Sequence, residues 1–176
     1  MKASFMELIR QRRSVRAFEA RPVEKKTQEL IVEAALRSPS SRSLNPWQFV
    51  VVQDEKKREA LAGVKPHGGG FLAKAPLAIA IVADPERCDV WVEDTAIAAT
   101  YIQLAAESLG LKSCWCQIRL REDGKGGMAA DRVREILSIP DDLEVASIIG
   151  IGYPAEEKPG HLQSELDYGK VHDEGF

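Results

Sequence analysis

Residues 10–16 read Arg-Gln-Arg-Arg-Ser-Val-Arg, so four guanidinium groups occupy seven positions of a 176-residue chain whose net charge is −3. Each arginine presents a planar fork of donors that matches a phosphate or a carboxylate. In an extended segment, Arg12, Ser14 and Arg16 would point to one side. The run is therefore a candidate anion-binding element. The alternative is a solvated helix end, because residues 6–13 have a helical pattern and a helix C-terminus favours cations.

The composition of the whole chain is that of one ordinary globular domain. Hydrophobic residues make up 44% and charged residues 29%, and the length suffices to bury a core. The slight negative charge argues against nucleic acid as the main partner. Residues 1–14 lack the apolar core of a secretory signal, and the apolar segment at 90–109 carries Glu93 and Asp94, which argues against a membrane span. A cytoplasmic protein without a membrane partner is expected.

Hydrophobic periodicity and capping residues predict five helices and four strands. The helices are predicted at 6–13, 24–37, 55–62, 90–109 and 131–137, and the strands at 49–53, 77–83, 112–118 and 145–152. Strand 77–83 is apolar throughout, which indicates burial on both faces. Asp54 and Asp89 are predicted N-caps. In the first helix, Leu8 and Ile9 are predicted to face inward.

Two features of this pattern suggest a second copy of the chain. The helix at 90–109, which Gly110 is predicted to end, is ringed by alanines and apolar on most sides, so it needs more than one covering neighbour. The tail at 155–176 has little apolar content of its own. Its candidates for packing on a partner chain are Leu166, Tyr168, Val171 and Phe176.

A glycine motif at the end of the last strand formally matches a dinucleotide-binding fingerprint. Residues 150–155 read Gly-Ile-Gly-Tyr-Pro-Ala. Pro154 and the charged residues after it do not begin a useful helix, and too few residues remain for the βαβ unit that the fingerprint needs. A Rossmann nucleotide site is therefore rejected.

The cysteines, Cys88, Cys114 and Cys116, give an odd count that offers no disulfide framework and fits a reducing compartment. Cys114 and Cys116 would point to one face of a strand, but no second cysteine or histidine pair follows at zinc spacing. Structural cysteines are favoured, and a thiol-based redox protein is the alternative. No nucleophile elbow or acid/base carboxylate pair stands out. An anion site without its own chemical groups suggests a cofactor that carries the reaction.

Four blocks of the sequence together resemble the short form of the FMN-dependent nitroreductase family. They are R-R-S-V-R-A-F from Arg12, S-P-S-S-R-S-L-N-P-W-Q-F from Ser38, L-A-A-E-S-L-G-L-K-S-C-W from Leu104 and G-Y-P-A-E-E-K-P from Gly152. No single block is decisive, but their order and spacing are specific. At Gly160, family members commonly carry an arginine.

The resemblance implies a fold of the α+β class. A central mixed, mainly antiparallel sheet would be flanked by helices in a three-layer sandwich, and two chains would form an intertwined dimer. Residues 6–159 would form the FMN-binding domain, and residues 160–176 a tail that packs on the partner subunit.

The resemblance also implies which residues bind FMN, with two sites at the subunit interface. The phosphate, the ribityl chain and the pyrimidine edge would be held by Arg12, Arg13, Ser14 and Arg16, with Lys158 as a second phosphate cation. The loop that reaches the flavin of the other subunit would contain Ser40, Ser41 and Arg42, with Ser43 or Asn45. Backbone amides would face the reactive edge of the flavin from Trp115, Cys116 and Gln117. No catalytic side chain and no metal are expected, because the flavin carries the chemistry.

The implied activity is that of an NAD(P)H oxidoreductase. A reduced nicotinamide would give hydride to FMN, leave, and be replaced by a nitroaromatic, a quinone or a similar acceptor, in a ping-pong mechanism. Two alternatives stay open. One is a flavin-binding or sensor module without physiological turnover, and the other is a different flavin chemistry on the same fold, such as reductive dehalogenation or flavin fragmentation.

Overall fold

The computed structural model describes residues 4–176. The helices are α1 (Phe5–Gln11), α2 (Lys25–Leu36), α3 (Glu55–Ala62), α4 (Trp91–Ser108) and α5 (Ala129–Leu137), and the strands are β1 (Trp47–Val52), β2 (Leu77–Ala83), β3 (Lys112–Gln117) and β4 (Glu144–Gly152). Short 3-10 turns lie at Ser41–Ser43, Gly70–Ala73, Gln163–Glu165 and Tyr168–Lys170. Every predicted helix and strand is present, which confirms the element order.

The four strands form one antiparallel sheet in the order β1-β2-β4-β3. Alternation along the central strands sends Ile79 and Ile149 to a core shared with α2 and α4, and Ala80 and Ile148 to a core on the other side, shared with α3 and α5. The predicted three-layer α+β sandwich is therefore confirmed. Among the described residues, the only parallel pairing is an isolated bridge between Ser14 and Ser113.

Of the two N-cap predictions, one is confirmed and the other is wrong. Asp54 accepts the amide of Lys57 at 2.9 Å and caps α3 as predicted. The prediction that Asp89 caps α4 is wrong: Val90 is the N-cap, no side chain caps the helix, and the Asp89 carboxylate pairs with Arg42 instead. The Asp89 carboxylate therefore forms an ion pair with a residue distant in the sequence instead of capping the helix that follows it. Gly110, at φ +76°, follows the end of α4 as expected.

The first helix corrects another expectation, because α1 contains no buried residue. Ile9, which was predicted to face inward, is 43% exposed, and Phe5 is 62% exposed. On α4, which packs beside α1, Ile97 and Tyr101 are exposed as well. Apolar residues do recur with helical spacing in α1 and α4, but some of these side chains point away from this chain into solvent. Large apolar side chains of the tail are also exposed: Leu162, Leu166, Tyr168, Val171 and Phe176.

Within residues 4–176, no helix combines the length and the apolar character needed to cross a bilayer.

Candidate functional site

The basic run leaves α1 and continues as extended chain along the outer edge of β3. Arg12 is the C-cap of α1 with extended backbone angles. The amide of Val15 then donates to the carbonyl of Ser113 at 3.1 Å, and Ser14 forms its bridge at the same place. Because Val15 and Phe18 are buried, the segment is anchored, while Arg16 between them stays exposed.

Residues 153–160, called the strap here, cross this segment from the far end of the chain. The amide of Glu19 donates to Tyr153 O at 2.9 Å, and the amide of Ala155 donates to Ala17 O at 3.0 Å. Further along the strap, Lys158 Nζ donates to the carbonyl of Ser14 at 3.2 Å. The fold therefore brings Lys158 to the basic run, as the family resemblance implies.

The cations of this region act electrostatically on the thiol of Cys114 in β3. Burial raises the pKa of the Cys114 thiol, and three nearby cations oppose that rise: Arg16, Lys158 and Arg12. Within residues 4–176, no hydrogen bond or ion pair occupies the guanidinium of Arg12 or of Arg16. The Arg13 guanidinium, by contrast, donates to the carbonyl of Pro159. Two guanidinium groups thus remain available for a ligand.

Strand alternation decides which backbone amides of β3 point away from the sheet. The carbonyl of Ser113 faces outward, because it accepts from Val15, and the amide of Ile118 faces β4, because it donates to Ala146 O. Backbone groups reverse direction at every residue. The amides of Trp115 and Gln117 therefore point to the outer edge, and that of Cys116 points to β4. Of the three amides implied by the resemblance, two are free to meet a ligand.

Lys65 is a residue of this region that the sequence reasoning missed. Its Nζ donates to the carbonyl of Gln117 at 2.9 Å, at the same outer edge of β3. It lies 52 positions earlier in the chain, where its only distinguishing signal is that it precedes the run of glycines at 68–70. Lys65 adds a further positive side chain along the length of β3, besides those of Arg12, Arg16 and Lys158.

The loop of residues 40–45 is held in a strained conformation. Arg42, Ser43 and Asn45 have φ between +47° and +55°, which costs non-glycine residues about 1 kcal/mol or more each. Ser40 Oγ accepts the amide of Asn45 at 2.9 Å and donates to its Oδ1 at 2.7 Å. Strain of this kind persists where the surroundings impose it, and it often marks a ligand-contacting loop.

Asp94 of α4 imposes part of that conformation. It is 2% exposed, and its Oδ1 accepts the amide of Ser41 at 2.8 Å. Its Oδ2 accepts the Cys88 thiol at 3.3 Å. A buried carboxylate with these partners fixes the loop to the first turn of α4, where the helix dipole favours negative charge.

The predicted site residues fall into two groups within one chain. One group lies along β3, and the other, the loop 40–45, leads into β1 on the opposite edge of the sheet. Three strand spacings of about 4.8 Å separate the two edges, or roughly 14 Å. Within the described part of the chain, residues 4–176, no hydrogen bond joins the loop to the basic run. A single chain does not bring the two groups together.

The cysteines give no support to the thiol-redox alternative. All three are free and buried. Burial raises the pKa of the Cys116 thiol, although Lys65 opposes the rise, and the pKa of Cys114 is raised for the same reason. Buried, protonated thiols are poor nucleophiles, so these side chains serve mainly as small core residues.

Comparison with known proteins decides the family. The family model of the nitroreductase family matches residues 9–153 of this sequence. The chain belongs to the nitroreductase family. The match includes the basic run, the loop 40–45 and all four strands, and it confirms the family and the oxidoreductase class that the sequence resemblance implied.

Solved and curated relatives of this nitroreductase-family chain agree with that assignment. An FMN-dependent nitroreductase from Clostridium difficile superposes with a TM-score of 0.96 at 46% identity, covering 98% of this chain and 100% of the other. A Methanothermobacter thermautotrophicus protein, provisionally named NADH dehydrogenase/NAD(P)H nitroreductase, is 35% identical over 97% of this chain and 87% of its own length. An iodotyrosine deiodinase from Thermotoga neapolitana is 26% identical over 91% of this chain and 94% of its own length.

Asp94→Ala is expected to lower the free energy of unfolding by about 1–3 kcal/mol, because it leaves the half-buried amide of Ser41 without its acceptor. Asp94→Asn keeps an oxygen for that amide and should lose less. Chemical denaturation measures both changes. Glu93→Ala, on the exposed neighbour of Asp94, is the control and should change stability little. Equal stability of Asp94→Ala and the unaltered protein would contradict the anchoring role of Asp94.

Proposed function

We propose that this chain is an FMN-dependent oxidoreductase that passes hydride from NADH or NADPH to a nitroaromatic, a quinone or a similar acceptor. The observation that carries the proposal is that the guanidinium groups of Arg12 and Arg16 have no partner among the described residues. They lie beside Lys158 and the outward amides of β3. Bound FMN would supply the hydride chemistry, and the two half-reactions would alternate in a ping-pong mechanism.

The residues of the site fit a phosphate-bearing ligand. An ammonium group has three donors, and Lys158 uses two of them, on Ser14 O and on Glu156. One donor of Lys158 and the forks of Arg12 and Arg16 thus remain for phosphate oxygens. Charge-assisted hydrogen bonds contribute about 1.5–3 kcal/mol each. Three of them would supply much of a micromolar affinity, which corresponds to about −8 kcal/mol.

The other residues would orient the ring system. The amides of Trp115 and Gln117 can donate to acceptors at the ring edge, and the Lys65 ammonium, held on Gln117 O, would place positive charge beside them. Fixed donors of this kind stabilise negative charge that develops during a reaction. No side chain is required as an acid or a base in this scheme.

We also propose that two chains build each site. Supporting this, the loop 40–45 and the basic run lie at opposite edges of the sheet in one chain, while apolar side chains of α1, of α4 and of the tail are exposed. In a dimer, the loop of one chain would reach the FMN held by its partner, and residues 160–176 would pack on the partner surface. The apolar side chains would then be buried at the interface.

Steady-state oxidation of NADH and NADPH, with a nitroaromatic or a quinone as acceptor, tests the activity. The purified protein is expected to show the yellow absorbance of a flavin and to consume the nicotinamide only when an acceptor is present. Full occupancy by FMN without turnover would instead support the binding or sensor module.

Reductive dehalogenation is the second candidate function, and the similarity to an iodotyrosine deiodinase favours it. A halogenated phenol offered to the reduced protein should then release halide. Release of halide at a rate above that of nitroaromatic reduction would move the assignment to this chemistry.

Ile97→Glu is expected to convert the dimer into monomers and to release FMN, because it places a charge in an apolar interface. Sedimentation velocity and flavin absorbance in the same sample measure the two effects. Ala60→Glu on α3, an exposed position on the opposite face of the sheet, is the matched control and should remain dimeric. A dimeric, FMN-loaded Ile97→Glu protein would contradict this interface.

A further inference from the structure

One carboxylate lies among the cations of the candidate phosphate site. Glu156 Oε1 accepts the backbone amide of Arg16 at 2.7 Å and that of Ala17 at 3.2 Å. The same oxygen accepts from Lys158 Nζ at 2.9 Å. Three donors on one oxygen of a half-buried side chain are more than a surface glutamate ordinarily meets. Glu156 therefore connects the basic run to the cation that the strap contributes.

Glu156 fixes the direction of Lys158. A lysine side chain has four rotatable bonds, so its ammonium group has no fixed direction of its own. Here Lys158 Nζ donates to two oxygens, the carbonyl oxygen of Ser14 at 3.2 Å and Glu156 Oε1 at 2.9 Å. Since the side chain of Lys158 is 30% exposed, water would otherwise compete for it. The remaining donor is thereby presented in a defined direction.

The strap does not depend on the Glu156 side chain for its course. Backbone hydrogen bonds join Glu19 to Tyr153 and Ala155 to Ala17, and a bridge joins Phe18 to Pro154. These contacts hold the two segments together on their own. The carboxylate thus acts on the orientation of the Lys158 ammonium and of the amides at 16 and 17, more than on the fold.

Electrostatic repulsion and side-chain orientation predict opposite effects on phosphate binding when the Glu156 carboxylate is removed. A carboxylate this close to a phosphate site repels the phosphate, so removing it should strengthen binding if proximity of charge were its whole effect. If it orients Lys158, removing it should weaken binding. Hydrogen bonds from Arg16 N, then from Lys158, lower the pKa of Glu156 to about 2, so the group is a carboxylate throughout the neutral range.

We propose, on the premise of the function argued above, that Glu156 is a positioning residue for phosphate recognition. It holds Lys158 and the backbone of the basic run in the geometry that receives the phosphate of FMN. The gain from a directed ammonium outweighs the repulsion between the two anions.

The test compares FMN with riboflavin, which lacks the phosphate. The full-length protein is freed of flavin, and both dissociation constants are measured by fluorescence quenching for the unaltered protein and for Glu156→Gln. FMN should bind about 10-fold more weakly to Glu156→Gln, the change expected for loss of one charge-assisted contact. Riboflavin should bind equally to both proteins. Glu157→Gln removes the same charge from the adjacent exposed side chain and should leave both constants unchanged.

Two further variants separate geometry from charge and from folding. Glu156→Asp keeps the carboxylate but shortens its reach, so it should weaken FMN binding as Glu156→Gln does. In a Lys158→Gln background, Glu156→Gln should produce a smaller loss than in the unaltered protein, because part of its effect passes through Lys158. Thermal unfolding of each variant shows whether the fold is intact.

Each outcome bears on the proposal. Tighter or unchanged FMN binding to Glu156→Gln overturns it, and so does an equal loss for FMN and riboflavin. An additive loss in the Lys158→Gln background also overturns it. If the unaltered protein binds neither flavin, the proposed function fails first and the inference fails with it. If the unaltered protein prefers FMN but Glu156→Gln matches it, only the inference fails.

Discussion

Arg12→Ala is expected to raise the dissociation constant for FMN by about 10- to 150-fold, because one charge-assisted contact to phosphate contributes about 1.5–3 kcal/mol. The fold should stay intact. The guanidinium of Arg12 has no partner within residues 4–176, so its removal leaves no group of the described chain unpaired. Equilibrium titration of the flavin-free protein measures the change, and thermal unfolding without flavin should give the same midpoint as the unaltered protein.

Arg10→Ala provides the matched control for Arg12→Ala. Arg10 belongs to the same basic run and is exposed, but it lies in the last turn of α1, before the extended segment begins. Its removal deletes the same charge and should change FMN binding by no more than a few-fold. Riboflavin binding should not respond to either variant. An Arg12→Ala protein that keeps its flavin through dialysis as the unaltered protein does would show that Arg12 does not bind the phosphate.

Gly160→Ala is expected to destabilise the protein by about 1–3 kcal/mol, as overpacked positions do, and to weaken FMN binding. A Cβ at this position would lie 1.8 Å from the carbonyl oxygen of Arg10 and 2.9 Å from its carbon. Both atoms belong to the backbone, so no side-chain rotation relieves the contact and the strap must move. Because Lys158 lies two residues away on the strap, its ammonium would move with it. Denaturation and flavin titration measure the two effects.

Gly70→Ala is the control for Gly160→Ala. A Cβ on Gly70 would meet no atom within 4 Å, so this change should leave stability and binding nearly as they were. Gly160→Ala with native stability and native FMN affinity would show that the strap can shift at no cost. The same close approach accounts for the glycine at position 160, because no residue with a Cβ fits there while the strap keeps its course.

The sequence predicted the helices and strands well because their signals are local, whereas the sandwich that they form was implied by the family resemblance. Strand β2 is continuously apolar, and it is buried on both faces as expected. Asp54 caps α3 because the cap and its amide are three residues apart. Ile9 was misjudged, because periodicity identifies an apolar face but not the surface that covers it. Asp89 was misjudged because its partner, Arg42, is 47 positions away.

The prediction of the candidate site rested partly on one local signal, the basic run, and partly on the family resemblance. The density of arginines at 10–16 is visible in the sequence, but Lys65 and Glu156 meet their partners across 52 and 140 positions. Nothing in the sequence distinguishes Glu156 from Glu157, since the two are adjacent and alike. The difference arises when the strap folds over the basic run and only one of the two carboxylates meets the amides. Contacts of that kind appear only with the tertiary structure.

The separation of the loop 40–45 from the basic run has a consequence for mixtures of damaged chains. If each pocket takes one half from each copy, a chain crippled in its basic run and another crippled in its loop can rescue one another. Homodimers of either damaged chain would contain two defective pockets. A mixed pair would concentrate both defects in one pocket and leave the other whole, so each mixed pair would have about half the activity of an intact pair. Because about half of randomly formed pairs are mixed, co-expressing two inactive proteins would restore about a quarter of the full activity.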